Sequence, residues 1–156
     1  MKVLIGGIAQ RLVNNNWLLT TAESCTGGGV AQCLTSVSGS SLWFDRGFIT
    51  YSNEAKQEML GVSEELLEKY GAVSEQAVVA MARGALAHSR AQASLAVTGI
   101  AGPSGGTSEK PVGTVWFAWA LETETKTVCQ VFAGDRQAIR QQSEKFSLQG
   151  LLDFLP

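Results

Sequence analysis

Leu18-Leu19-Thr20-Thr21-Ala22-Glu23-Ser24-Cys25-Thr26-Gly27-Gly28-Gly29-Val30 is the stretch from which the rest of the chain can be read. It begins as a short buried strand, breaks in a glycine-rich turn, and passes into an apolar helical spacing that runs on to Val37. Ser24 therefore falls near a helix N-terminus. There, unpaired backbone N–H groups and the positive end of the helix dipole can hold an oxyanion or a phosphate. On those terms the amides of Cys25, Thr26, Gly27 and Gly28 are candidate oxyanion donors. Serine is also a favoured helix cap and glycine a default turn residue, so this stretch alone leaves a nucleophile and a simple cap both open.

Working outward, the periodicity predicts helices over 3–15, 28–37, 53–60, 63–69, 74–89 and 136–154, and strands over 18–23, 46–51, 93–98, 113–121 and 125–132. The last two strands flank Glu122-Thr123-Glu124 and read as a hairpin. Strands alternating with helices, plus one antiparallel pair, predict an α/β fold: a three-layer α/β/α sandwich on a mixed, mostly parallel sheet. The 156 residues, 45% hydrophobic and 17% charged, suit one domain over 1–156. Twelve basic and fourteen acidic side chains leave a net charge of −2 without a basic run, which points away from nucleic acid and membrane surfaces as partners. The apolar start, Met1 to Gln10, is too short before Arg11 and lacks a cleavage site, and Leu12, Val13 and Trp17 prolong its helical spacing. It reads as a core helix of a cytoplasmic protein.

A second segment, Gly47-Phe48-Ile49-Thr50-Tyr51-Ser52-Asn53-Glu54-Ala55-Lys56, repeats the pattern of buried strand, cap and helix. Lys56 falls in about the first helical turn, where a cation opposes the dipole. Tyr51 and Lys56 taken singly are a core-edge aromatic and a solvated side chain; with Ser24 they make the parts of a Ser–Lys hydrolase. A serine hydroxyl needs a base, a desolvated lysine of lowered pKa is one, and the Tyr51 phenol, both donor and acceptor, is a candidate relay between them. Two rivals are weak. A thiol nucleophile at Cys25 needs a basic partner, and the single histidine, His88, reads as solvent-facing near a helix end. Cys25, Cys33 and Cys129 show no metal-ligand spacing, so no metal site is expected, and three unpaired cysteines fit a reducing compartment.

Residues 22–28 (AESCTGG), 39–56 (GSSLWFDRGFITYSNEAK), 71–74 (GAVS), 98–106 (TGIAGPSGG), 110–115 (KPVGTV) and 134–140 (GDRQAIR) together closely resemble the C-terminal domain family of the competence/damage-inducible protein CinA, in the family's order over nearly the whole chain. The resemblance implies a nicotinamide-nucleotide amidohydrolase. Such an enzyme hydrolyses the carboxamide of nicotinamide mononucleotide to nicotinate mononucleotide and ammonia, with Ser24 as nucleophile, Tyr51 and Lys56 as its activating partners, no cofactor, and a self-associating domain.

A nucleotide substrate needs further contacts. The loop after the 93–98 strand, with Thr98, Gly99, Ala101 and Gly102, is expected to line the crevice at the strands' C-terminal ends. Arg140, one turn after Arg136 on the closing helix, is a candidate for the 5′-phosphate against an equally weighted surface salt bridge, while Arg136 reads first as surface. Gly39, Ser40 and Ser41 are a second candidate phosphate wrap, and Trp43 and Phe44 read as packing or interface aromatics. The competing class is a catalytically silent nucleotide-binding or regulatory module on the same fold.

Overall fold

The computed structural model describes all of residues 1–156. In chain order its elements are α1 (Lys2–Asn14), β1 (Leu19–Glu23), α2 (Gly29–Thr35), a 3-10 turn (Ser40–Leu42), β2 (Phe44–Ile49), α3 (Asn53–Leu60), α4 (Glu64–Tyr70), α5 (Glu75–Ala87), β3 (Ala93–Gly99), β4 (Thr114–Leu121), β5 (Thr125–Val131) and α6 (Arg136–Phe154). Four helices start on a side-chain oxygen that accepts from the amide three residues on: Ser52 from Ala55, Ser63 from Leu66, Ser74 from Ala77 and Asp135 from Ala138. α3 stops where Gly61 turns left-handed, at φ 69°.

The strands form one sheet in the order β2-β1-β3-β4-β5. β1 pairs in parallel with β2 and β3, whereas β4 runs antiparallel to both β3 and β5. The sheet is mixed as expected: four strands share one direction and β4 alone opposes them. Helices α1, α2 and α6 cover one face and α3, α4 and α5 the other, giving the three layers.

Alternation along the strands sorts the two cores. Leu95 and Val97 of β3 and Val115, Phe117 and Trp119 of β4 face α6, where the Trp119 indole N–H donates to the Ser147 carbonyl at 2.8 Å. A Cβ at Gly150 would run into that indole, so α6 can lie this close only with glycine there. On the other face stand Ala22, Ala96, Ala118 and Ala120, small enough for the alanine-rich α5 to approach. Gly84 of α5 in turn lets the end of α3 in, since a Cβ there would strike the Leu60 carbonyl. This contact seats the helix that carries Lys56.

One expectation changes. The strand predicted over 46–51 as buried is β2, an edge strand of mostly half-buried and exposed residues. Its apolar residues mark only one covered face, and period alone does not distinguish a central strand from an edge. No helix is long and apolar enough to cross a membrane.

Candidate active site

The parallel register levels the ends of β1 and β2, with Glu23 opposite Ile49 and Val97 of β3 on the other side of Glu23. The segments that leave these three strands therefore meet at one edge of the sheet, the usual ligand site of open α/β sheets. Ser24 follows β1 directly and its amide donates to the Val97 carbonyl at 3.0 Å, which pins the turn. Ser24 is 7% exposed.

Lys56 is the fourth residue of α3, and helical side chains lean toward the N-terminus, so its amine is carried back over the strand end. It is 1% exposed. Nζ lies 3.1 Å from Ser24 Oγ and donates to the Thr50 carbonyl at 2.9 Å, with the carbonyls of Tyr51 and Ser52 at 3.5 Å. No carboxylate pairs with it; both ion pairs of the chain belong to Asp45. Burial without a counter-charge pulls the Lys56 pKa below its ordinary value. A neutral amine beside a serine hydroxyl can accept its proton.

The glycine turn differs from the sequence reading in a way that matters. Ser24 does not cap α2. The helix starts at Gly29 behind a left-handed Gly28, and its first free amides, Val30 and Ala31, donate to the buried Glu23 carboxylate at 2.9 and 3.0 Å. The Thr26 hydroxyl donates to the same carboxylate at 2.6 Å. Glu23 thus fills the anion position that the sequence reading assigned to a ligand, and a carboxylate closing an apolar strand must find such partners. Gly27, at φ 59°, spends its amide on the Ser24 carbonyl. The amides of Cys25, Thr26 and Gly28 have no acceptor in the protein and stay candidates, and of these three residues Cys25 borders the cavity that holds Ser24.

Tyr51 is at the site but not in the expected position. Its hydroxyl accepts from Arg136 Nη2 at 2.9 Å, and no hydrogen bond links the phenol to Ser24 or Lys56. The two proposed partners already touch, so there is no gap for a relay to bridge. Arg136, read from sequence as surface, also donates to the Gly102 carbonyl at 2.9 Å and borders two cavities. One, of about 200 Å³, is lined by Ser24, Cys25, Tyr51, Lys56, Thr98, Gly99 and Ala101 among others. The second, of about 790 Å³, shares Ala101 and Arg136 and adds Arg140. The advance signals for Arg136 are its place one helical turn before Arg140 and within the 134–140 run that carries the family resemblance.

Arg140 forms no surface salt bridge. It is half-buried, Nη2 donates to the Thr26 carbonyl at 3.0 Å, and its buried Nε has no partner. Thr98 borders the small cavity, although its hydroxyl is committed to the Ala72 carbonyl at 2.9 Å. Gly39, Ser40 and Ser41 do not join the site. They precede β2 and so stand at the opposite end of the parallel β1–β2 pair from Ser24, bordering neither cavity. Trp43, 2% exposed, packs edge-on to Phe44 in the core. Burial pushes the Cys25 thiol up to about 12, and His88, its ring bonded to the Gly84 carbonyl, ends α5 beside Arg46 at the far end of the sheet. A thiol held up there supplies no thiolate, and the histidine that such a mechanism would use stands elsewhere.

Comparison with known proteins agrees with this architecture. The chain is 56% identical over 146 residues to the nicotinamide-nucleotide amidohydrolase PncC of Enterobacter agglomerans, covering 93% of this chain and 89% of that protein. It is 54% identical to the PncC of Escherichia coli K12 over 147 residues, 92% and 88% of the two chains. The crystal structure of the competence damage-inducible protein A (ComA) from Klebsiella pneumoniae superposes with a TM-score of 0.94 at 41% identity, covering 97% of this chain and 94% of that one. The sequence profile of the CinA C-terminal domain matches residues 2–155, and with these relatives it establishes that the chain belongs to the CinA C-terminal domain family.

Proposed function

We propose that this protein deamidates nicotinamide mononucleotide, releasing nicotinate mononucleotide and ammonia through a Ser24–Lys56 dyad. The observation that carries the reading is a buried lysine without a counter-ion, 3.1 Å from the hydroxyl of a serine that opens a turn with unclaimed backbone amides. The names of the PncC relatives support a nicotinamide nucleotide as the substrate class, and the mononucleotide is our reading within it.

In the first step neutral Lys56 takes the Ser24 proton as Oγ attacks the carboxamide carbon, and the amides of Cys25, Thr26 and Gly28 receive the oxyanion. Protonated Lys56 then gives its proton to the departing nitrogen. Ammonia leaves and a nicotinoyl ester remains on Ser24. Water, deprotonated by Lys56, attacks the ester; collapse expels Ser24 Oγ, which recovers the proton from Lys56. The small cavity suits the carboxamide ring. The adjoining cleft, with Arg136 and Arg140 one turn apart, suits ribose and phosphate, for which guanidinium is the matching fork of donors.

The test is direct. Wild-type protein with nicotinamide mononucleotide yields ammonia and nicotinate mononucleotide in equal amounts. Ser24→Ala yields neither while still binding the nucleotide, because the missing oxygen does chemistry rather than recognition. Nucleotide binding by the wild type without ammonia release would instead identify a silent binding module, and loss of binding in Ser24→Ala would reduce Ser24 to a structural residue.

A further inference from the structure

The eleven residues lining the Ser24 cavity include no carboxylate and one aromatic ring, that of Tyr51. An N1-substituted nicotinamide is a pyridinium and carries a full positive charge on the ring that must enter. With Arg136 at the rim and no acid to offset it, the cavity would repel such a ring unless another electron-rich surface received it. The π face of a tyrosine is such a surface.

Tyr51 is built for that contact. It is 60% exposed, so its ring is not buried in the protein core. It is nevertheless held at both ends. Its carbonyl lies beside the Lys56 amine at 3.5 Å, and its hydroxyl is fixed by Arg136, whose other nitrogen is fixed on the Gly102 carbonyl. Arg136 meets the phenol at its hydroxyl edge and leaves the ring face unclaimed. An exposed side chain normally keeps its rotamer freedom, and one clamped in this way is pre-organised for a ligand.

We propose that Tyr51 selects the charged ring of the substrate, its π face receiving the pyridinium cation while Arg136 acts as a positioning residue that holds that face through the phenol. The assignment rests on the deamidase reading for its ligand. It gives Tyr51 a role in recognition in place of the proton relay that the structure does not support.

The experiment measures binding in Ser24→Ala, which cannot turn over, for nicotinamide mononucleotide and for its dihydro form. The latter has the same carboxamide, ribose and phosphate on an uncharged ring. Tyr51→Leu weakens the charged ligand by about 2- to 30-fold, the range for a cation–π contact, and the neutral ligand much less. Tyr51→Phe keeps most of the preference for the charged ligand, because the ring remains. Arg136→Lys, which keeps the rim charge but gives up the fork that joins the phenol to the Gly102 carbonyl, lowers that preference no more than Tyr51→Phe does and changes it no further in Tyr51→Phe, as expected for a residue acting through the phenol. A merely structural Arg136 would weaken both ligands alike.

Equal effects of Tyr51→Leu on the two ligands would overturn the proposal. So would a Tyr51→Phe enzyme that binds normally and loses turnover by orders of magnitude, since that is the signature of a proton carrier. The deamidase reading fails separately: wild-type protein that releases no ammonia sinks it, while the charged-versus-neutral preference still decides the role of Tyr51.

Discussion

Replacing Lys56 with methionine separates its chemistry from its packing. The side chain is fully buried, so the substitution must preserve volume, and the unbranched methionine nearly does so. What disappears is the amine with its contacts to Ser24 Oγ and the Thr50 carbonyl. Loss of a positioned base removes about 10²–10⁴-fold in rate, or about 2.7–5.4 kcal/mol of barrier. For the fold, the Thr50 carbonyl loses a partner at a cost of about 1–3 kcal/mol, while relief of a buried amine acts in the opposite direction by a similar amount. The net stability change is expected within about 1 kcal/mol, a shift in melting temperature of about 2–4 °C for a chain of this size.

The pH dependence has a definite sign. Because Lys56 is held below its ordinary pKa, the unfolded chain binds the extra proton between the lowered value and that of a solvated lysine. Wild-type stability therefore rises with pH through that window and carries the full cost of the buried amine below it. Lys56→Met should gain most over wild type on the acid side and lose that advantage as pH climbs toward the ordinary lysine range. Activity of the wild type should rise with pH through the lowered Lys56 pKa, since only the neutral amine accepts a proton. Ammonia release and thermal melts across a pH series measure both. Turnover of Lys56→Met within tenfold of wild type would remove Lys56 from the mechanism, and a melting temperature lower by more than about 10 °C would make its role structural.

Glu23→Gln keeps the shape but gives up the charge on which Val30, Ala31 and Thr26 converge, so denaturant unfolding should show a loss of about 1.5–3 kcal/mol and turnover should fall as the Ser24 turn loosens. Cys25→Ala leaves its backbone amide in place and should stay within a few-fold of wild-type turnover, whereas a nucleophilic Cys25 would lose all of it. Arg140→Ala should weaken nicotinamide mononucleotide by about 1.5–3 kcal/mol and affect the unphosphorylated riboside little, as measured by kcat/KM for both. Equal losses would show that Arg140 serves only to hold the Thr26 carbonyl.

Local signals in the sequence determined the elements and pointed to the proposed pair of Ser24 and Lys56. Strand period, serine and aspartate caps, and glycine turns are each decided within a few residues, which is why the helices, the hairpin and the three-layer class could be read in advance. Ser24 directly follows β1 and Lys56 lies in the first turn of the helix after β2, so parallel pairing of the two strands, with the lysine leaning back toward the helix N-terminus, brings them together. Strand order and side-chain direction belong to the tertiary structure alone. Gly39 to Ser41 looked like a phosphate wrap, but parallel pairing sends whatever precedes β2 to the far end of the sheet from whatever follows β1. Tyr51 looked like a relay, yet α6 returns from 85 residues away to claim its hydroxyl with Arg136. Glu23 looked like the last residue of a strand, and it became the anion of α2 because a buried carboxylate takes the nearest free amides. Spacing along the chain encodes which groups are available; competition for hydrogen-bond partners in the folded interior decides which of them remain free to act.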